Sequence, residues 1–302
     1  MKAIKKIICL AALIFPMQLK AQDFPYHYFT HIEPMLNNPS LAALNHKINA
    51  NAAVYNLWAG GFKPLNDYLI SFSFSPGFVT SRRGIYYEPR YALGAVLQHE
   101  NFGPFSVNIL QLIYAYHIPL SNSALLSLGV NGIIENMGID VNSLSPVQND
   151  DPRLLNGNKN AFAFDGGFGA AVSGKDFRIS FSVLNLAPAS FRFSDGSSEE
   201  IPDYRKYFLS GNYLVSLTEK FYFQPEITLR NTIQNKPGFD LLSSFNLHFF
   251  SFGLGYRSES TLFLFAKVPV HEFVFSYTSE NPVNSNHMVG NGHTFSIGWF
   301  FN

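Results

Sequence analysis

The chain has 302 residues and a formal net charge of zero, with 14% of its residues charged, 16% aromatic and a single cysteine. Soluble domains carry about 25% charged residues, so this composition does not fit a surface built mainly for water. The absence of a basic excess argues against a nucleic-acid partner, and one cysteine excludes a disulfide framework or a Cys-ligated metal site.

The first predicted element is a leader. Lys2, Lys5 and Lys6 make a basic start, and residues 7–17 form an apolar core too short to cross a bilayer. Leu19-Lys20-Ala21 then ends in a small residue suited to cleavage. Cys9 stands early in the apolar core behind Ile7 and Ile8, which does not match a lipidation site. Cleavage would remove Cys9 and four of the 21 basic residues, leaving 17 basic groups against 21 acidic ones. Residues 1–21 are therefore expected to be a cleaved signal peptide, 22–45 a periplasmic or plug-like segment, and 46–302 the folded body.

Beyond residue 45 the apolar residues recur with a period of two. About fourteen strands are predicted, near 47–57, 67–75, 90–99, 104–118, 124–137, 160–173, 176–186, 203–216, 219–231, 239–249, 250–257, 260–268, 270–279 and 291–301. Tyr68, Ile70, Phe72 and Phe74 alternate with Asp67, Ser71, Ser73 and Ser75, and Phe295, Ile297, Trp299 and Phe301 with Thr294, Ser296 and Gly298. No stretch after the leader approaches the roughly 20 apolar residues of a membrane helix. Lipid offers the backbone no hydrogen-bond partner, so a spanning chain must be helical or a closed barrel. The expectation is an all-β fold, a transmembrane antiparallel β-barrel of outer-membrane type.

Connection lengths agree with that reading. Such barrels have short periplasmic turns and longer outer loops. The long connections, near 138–159, 187–202, 232–238 and 280–290, follow odd-numbered strands. Even-numbered strands end in tight turns at Pro119 to Ser123, Gly174-Lys175, Leu217-Thr218, Phe249-Phe250 and Val268 to His271, with 76–89 as the exception.

The segment 220–249 assigns faces most directly. Phe221, Ile227, Phe245 and Leu247 are expected toward lipid, and Gln224, Glu226, Arg230, Asp240 and His248 toward the lumen. Pro225 lacks a ladder donor and predicts a bulge or local edge. Fourteen strands enclose more than side chains fill, so the lumen is either an open pore or plugged, with 22–45 available as the plug.

Several short motifs carry a family resemblance. The opening stretch 26–44, with Asn38-Pro39-Ser40, resembles the Asn-Pro-Ala-bearing start of the PorP/SprF family of type IX secretion proteins in the Bacteroidetes. Tyr114-Ala115-Tyr116-His117-Ile118-Pro119-Leu120 with Leu126-Ser127-Leu128-Gly129-Val130 is similar to one of its hairpins. Asp150-Asp151-Pro152, Phe252-Gly253-Leu254-Gly255-Tyr256-Arg257 and Gly292-His293-Thr294-Phe295 resemble later motifs, although Thr294 stands where the family usually has Glu. The resemblance implies an outer-membrane barrel without enzymatic activity that supports secretion or surface attachment of partner proteins such as gliding adhesins. It further implies docking of a cargo C-terminal sorting domain, and association with membrane lipid, the translocon and its periplasmic or surface proteins.

No residue pattern points to chemistry. The nine histidines (His27, His31, His46, His99, His117, His248, His271, His287 and His293) show no convergent metal-ligand spacing, and His271 falls at a turn. Ser is abundant but lacks a G-x-S-x-G nucleophile elbow. Asp150 and Asp151, and the run Asp195-Gly196-Ser197-Ser198-Glu199-Glu200, read as solvated outer loops without a calcium-loop ligand pattern. Catalytic, metal and cofactor residues are accordingly expected to be none. The alternative function is a diffusion channel or hydrophobic-substrate transporter of the outer membrane.

Overall fold

The computed structural model describes residues 29–57, 65–76, 90–143, 159–187, 190–193, 198–200, 205–231, 237–258, 260–283 and 290–301. The leader, His27, Asp150-Asp151-Pro152, most of 76–89 and His287 lie outside the described residues. The chain folds into a closed antiparallel barrel of fourteen strands. These are β1 (Ile48–Leu57), β2 (Leu65–Phe74), β3 (Arg90–Phe102), β4 (Phe105–Ser121), β5 (Ala124–Ile139), β6 (Lys159–Ser173) and β7 (Phe177–Leu184). The second half comprises β8 (Lys206–Tyr213, continuing as Val215–Thr218), β9 (Phe221–Asn231), β10 (Pro237–Leu247), β11 (Phe250–Arg257), β12 (Thr261–Val270), β13 (Phe273–Pro282) and β14 (Gly292–Phe301). A small hairpin, Ser190–Phe193 with Ser198–Glu200, follows β7 and reaches back to β6.

Each strand pairs with its sequence neighbours, and β1 closes the ring against β14 from Ile48↔Phe301 to Leu57↔Gly292. No edge strand is left open within the ring. Lipid-exposed N–H and C=O groups cost several kcal/mol each, so this closure is what lets alternating strands span a membrane.

The two faces follow the alternation. On β5 the outward column Leu126, Leu128, Val130, Gly132 and Ile134 gives way to Asn136. Residues 126–134 measure about 27 Å along the strand, or about 21 Å across a membrane at a tilt of about 40°, close to the roughly 25 Å apolar band of such barrels. The polar boundary continues around the barrel: Asn56 opposes Asn66 and His293, Asn66 opposes Asn101, and His99 opposes Asn108, which opposes Asn136. Near the opposite end, Phe221, Phe223, Phe245, Phe250 and Phe252 stack outward on β9–β11, with centroids 5.0–6.1 Å apart. They form part of an aromatic girdle at the tight-turn end.

Connections differ in detail from the expectation. β3–β4 and β11–β12 also turn tightly, the first through Gly103 at φ +59°, so only some connections after odd strands are long. Leu217 and Thr218 belong to β8, and the turn falls at Glu219-Lys220. The register on either side of Pro225 is unchanged, with Asn212↔Glu226 and Val215↔Phe223. β8 is interrupted at Leu214, which this register sets opposite Gln224 rather than Pro225. Leu214 N donates to Asp176 O at 2.6 Å, and the one register shift of this pair sits farther along, between Ser216 and Thr218.

A charge should cost most at the centre of the apolar column. Val130→Arg is expected to destabilise the barrel by about 2–4 kcal/mol and Asn160→Arg, at the polar rim, by about 0–1 kcal/mol, read from reversible urea unfolding in bilayers.

Candidate functional site: a plugged lumen

Residues 29–45 do not join the wall. They enter the lumen from the tight-turn end, where β1 begins, and cross it through two short 3-10 turns, Pro34–Leu36 and Pro39–Leu41. Two prolines start these turns because their fixed φ suits a first helical position and their missing N–H is not needed there. Phe29, Met35, Ala42 and Ala43 pack with Ala53, Tyr55, Leu65, Leu69, Ala92, Val96, Ile113 and Ala115 of β1–β4 into a dry core inside the barrel.

A non-strand segment buried in this way must have its polar groups paired, and the inward residues of the strands supply partners. Asn38 caps its own turn, its Oδ1 accepting from Ser40 N at 3.0 Å and from Ser40 Oγ at 2.6 Å. Its Nδ2 donates to the carbonyls of Phe181 at 3.2 Å and Ala170 at 3.5 Å, on neighbouring strands of the wall. Ser182 Oγ donates to Asn37 O at 2.5 Å, and Arg90 to Leu44 O at 2.9 Å. His117 Nε2 lies 3.1 Å from Ala42 O, and Ala43 N donates to Ser73 Oγ at 3.2 Å. On the far side His31 Nε2 meets Thr278 Oγ1 at 2.6 Å, and Lys267 Nζ donates to His31 O at 3.0 Å.

Close approach explains two glycines. A Cβ on Gly129 would overlap the Ser40 backbone, and one on Gly169 would overlap the Asn38 side chain and Pro39 ring. Both face inward on β5 and β6, so the Asn38-Pro39-Ser40 turn rests directly on the sheet backbone.

Glu33 is the acid at the centre of the plug, 1% exposed. Its Oε2 accepts from Asn51 Nδ2 at 2.7 Å and from Ser71 Oγ. Burial raises its pKa above the ordinary carboxylate value, against the opposing pull of the Ser71, Asn51 and Met35 N–H hydrogen bonds. His31 is held well below its ordinary value by burial first, then by the charges of Lys267 and Arg257, so it is neutral at neutral pH.

The rest of the wall carries paired charges. Arg230 bridges Asp240 at 3.0 Å, Arg257 bridges Glu280 at 3.1 Å, and Asn212 donates to Glu226 at 3.2 Å. Arg257 also lies over the Phe263 ring and Lys267 over Phe265, 5.1 and 5.4 Å from the centroids. Of the residues expected to face the lumen, Arg230 and Asp240 are brought together, while Gln224 and Glu226 share their face of β9, partly buried. His248 is a correction. It lies beyond the end of β10, exposed in the tight turn before β11, because the strand stops at Leu247. Among the described residues no three His, Cys, Asp or Glu side chains converge to hold a metal ion.

A family model described as "Type IX secretion system membrane protein PorP/SprF" matches residues 18–299. The chain belongs to the PorP/SprF family. No curated protein matches it. Among solved structures it is similar to the CymD monoaromatic hydrocarbon channel, with a TM-score of 0.55 and 9% identity over 94% of this chain and 95% of that one. It is also similar to the TodX deltaS2S3 mutant monoaromatic hydrocarbon channel, with a TM-score of 0.51 and 6% identity over 94% of this chain and 96% of that one. At these identities the likeness is one of fold, and with the family it places the protein in the outer membrane as a multi-pass barrel. The PorP/SprF residues that periodicity missed are those of the plug seat: Glu33, Asn38, Ser40, Gly129 and Gly169. The usable signal was a glycine at an inward position of a strand, together with the Asn-Pro turn ahead of the first strand.

Two outcomes test the seat. Gly169→Val should overpack it by about 1–3 kcal/mol, which makes the open plug about 5- to 150-fold more populated. Chymotrypsin cleavage at Leu36 and Leu41 should accelerate accordingly while the barrel keeps its heat-modifiable mobility. For Glu33, a raised folded-state pKa means that its contribution is fully present below the unfolded value and is lost as pH rises through the folded value. Docking should therefore loosen toward alkaline pH, and Glu33→Gln should flatten that dependence in the same cleavage assay.

Proposed function

We propose that this barrel is a non-enzymatic outer-membrane scaffold that supports secretion or surface attachment of a partner protein of the type IX secretion system. The leader at 1–21 would deliver it to the periplasm, and the barrel would then hold the cargo at the surface by docking its C-terminal sorting domain. The connections near 138–159, 187–202 and 280–290, or the mouth of the lumen, are the natural grip, since β5, β7 and β13 end on the side away from the turns that follow β4, β6 and β8.

One observation carries the reading beyond family membership. The lumen is occupied by residues 29–45, whose hydrogen bonds reach inward positions of β1–β4, β7, β12 and β13 and backbone carbonyls of β6 and β7. A wall bonded to its own plug from so many sides favours a fixed platform over a free-diffusion pore. The rival reading, a channel for hydrophobic substrates, takes its support from the names of the two structurally similar hydrocarbon channels.

Two measurements separate the readings. Affinity capture of the intact protein from its native membrane, read by mass spectrometry, is expected to recover a secreted protein with a sorting domain or a translocon component; recovery of neither sinks the proposal. In planar bilayers the purified barrel is expected to show no steady open conductance, whereas a persistent open pore would favour the channel.

A further inference from the structure

The outer wall carries a feature that neither the plug nor the connections use. Across β2, β3, β4 and β5 a groove of 350 Å³ opens on the membrane side. It is built from two adjacent registers. In one, Ile70 opposes Leu97, Leu97 opposes Leu110, and Leu110 opposes Ile134, which makes an unbroken apolar row across four strands. In the next, two residues nearer the polar rim, Tyr68 opposes His99, His99 opposes Asn108, and Asn108 opposes Asn136. The apolar row is well exposed, with Ile70 at 62% and Leu97 at 55%. The groove therefore straddles the line where the lipid-facing band ends and the polar rim begins, and its two halves match the two halves of an amphiphile.

The polar half is organised by amide and imidazole groups. Asn101 Nδ2 donates to His99 Nε2 at 2.8 Å, and His99 Nδ1 lies 2.7 Å from Asn108 Oδ1. With Nε2 accepting, the ring proton sits on Nδ1 and is donated to Asn108 Oδ1. The Asn108 Nδ2 donor is then directed away from the histidine, and Tyr68 stacks on the His99 ring at 6.2 Å. Among the described residues no Lys or Arg lines the groove. A phosphate headgroup finds no cation among these side chains, whereas a hydroxylated sugar, able to donate and accept at every position, matches the amide and imidazole groups present.

We propose that this groove binds one glycolipid of the surrounding membrane, its acyl chain along the Ile70–Ile134 row and its sugar headgroup against His99, Asn108 and Asn136. The site is continuous with the lipid-facing band and is independent of what the protein docks at its surface.

Native mass spectrometry of the full-length, detergent-purified barrel tests this with two probes of matched acyl chains, a galactosyl diacylglycerol and a phosphatidylethanolamine. The galactolipid adduct is expected to be retained about tenfold over the phospholipid, a difference typical of one well-placed polar contact. Asn108→Leu should abolish that preference, and Leu110→Trp, which fills the apolar row, should reduce both adducts by a similar factor. Unchanged heat-modifiable mobility of both variants would show that they fold. Equal retention of the two lipids by the unaltered barrel overturns the proposal, as does an adduct that Leu110→Trp leaves undiminished. A second copy of the chain cross-linking across His99 in native membranes would also overturn it.

Discussion

Everything in this molecule depends on the backbone having no hydrogen-bond partner in lipid. That constraint forces the ring to close, and the β1–β14 seam closes it over the full length of both strands. Closure then dictates that each strand show one face to lipid and one to the lumen, which is why a period of two runs through the chain. It also bears on Pro225, which has no ladder donor to give and yet sits in a wall whose register is the same on either side of it.

A ring of fourteen strands creates a second problem, because it encloses more volume than its own side chains fill. The chain solves it with residues 29–45. A non-helical, non-strand segment brings amides and carbonyls that need partners into a buried space, so the wall facing it adds polar and small residues to its apolar ones. Ser73, Arg90, His117 and Ser182 provide hydrogen bonds, and Gly129 and Gly169 provide room. Elsewhere the inward charges answer one another, Arg230 with Asp240 and Arg257 with Glu280, as ions removed from bulk water require. The interior is thus divided between a wall that holds the plug and a wall that holds its own ion pairs.

Function follows from where this leaves free surface. The turns that follow β4, β6, β8, β10 and β12 and the girdle of phenylalanines occupy one end, and residues 29–45 sit in the lumen. A rim of Asn and His residues marks the other end, where the odd-numbered strands finish. Family membership ties this barrel to type IX secretion, and holding a partner at the membrane surface is the role proposed for it. Its outer wall in turn offers the membrane a shaped contact along β2–β5.

The barrel is legible in the order of the residues alone. Alternation, the low charge content and the lack of any long apolar run left no other membrane fold, and the strands lie close to where the periodicity places them. Parity places Asp240 and Arg230 on the inward face, and the register, which sets Asp240 against Thr228 with Arg230 on the diagonal, brings them together. The plug seat required the tertiary structure, because an irregular segment has no period to read and its partners are scattered from Asn51 to Thr278. Periodicity likewise cannot say where a strand stops, which is why His248 carries inward parity yet lies in a turn. Whether the lumen is open or filled is a question of which distant residues meet, and only the folded chain, by bringing Asn38 onto Gly169 and Glu33 onto Ser71, answers it.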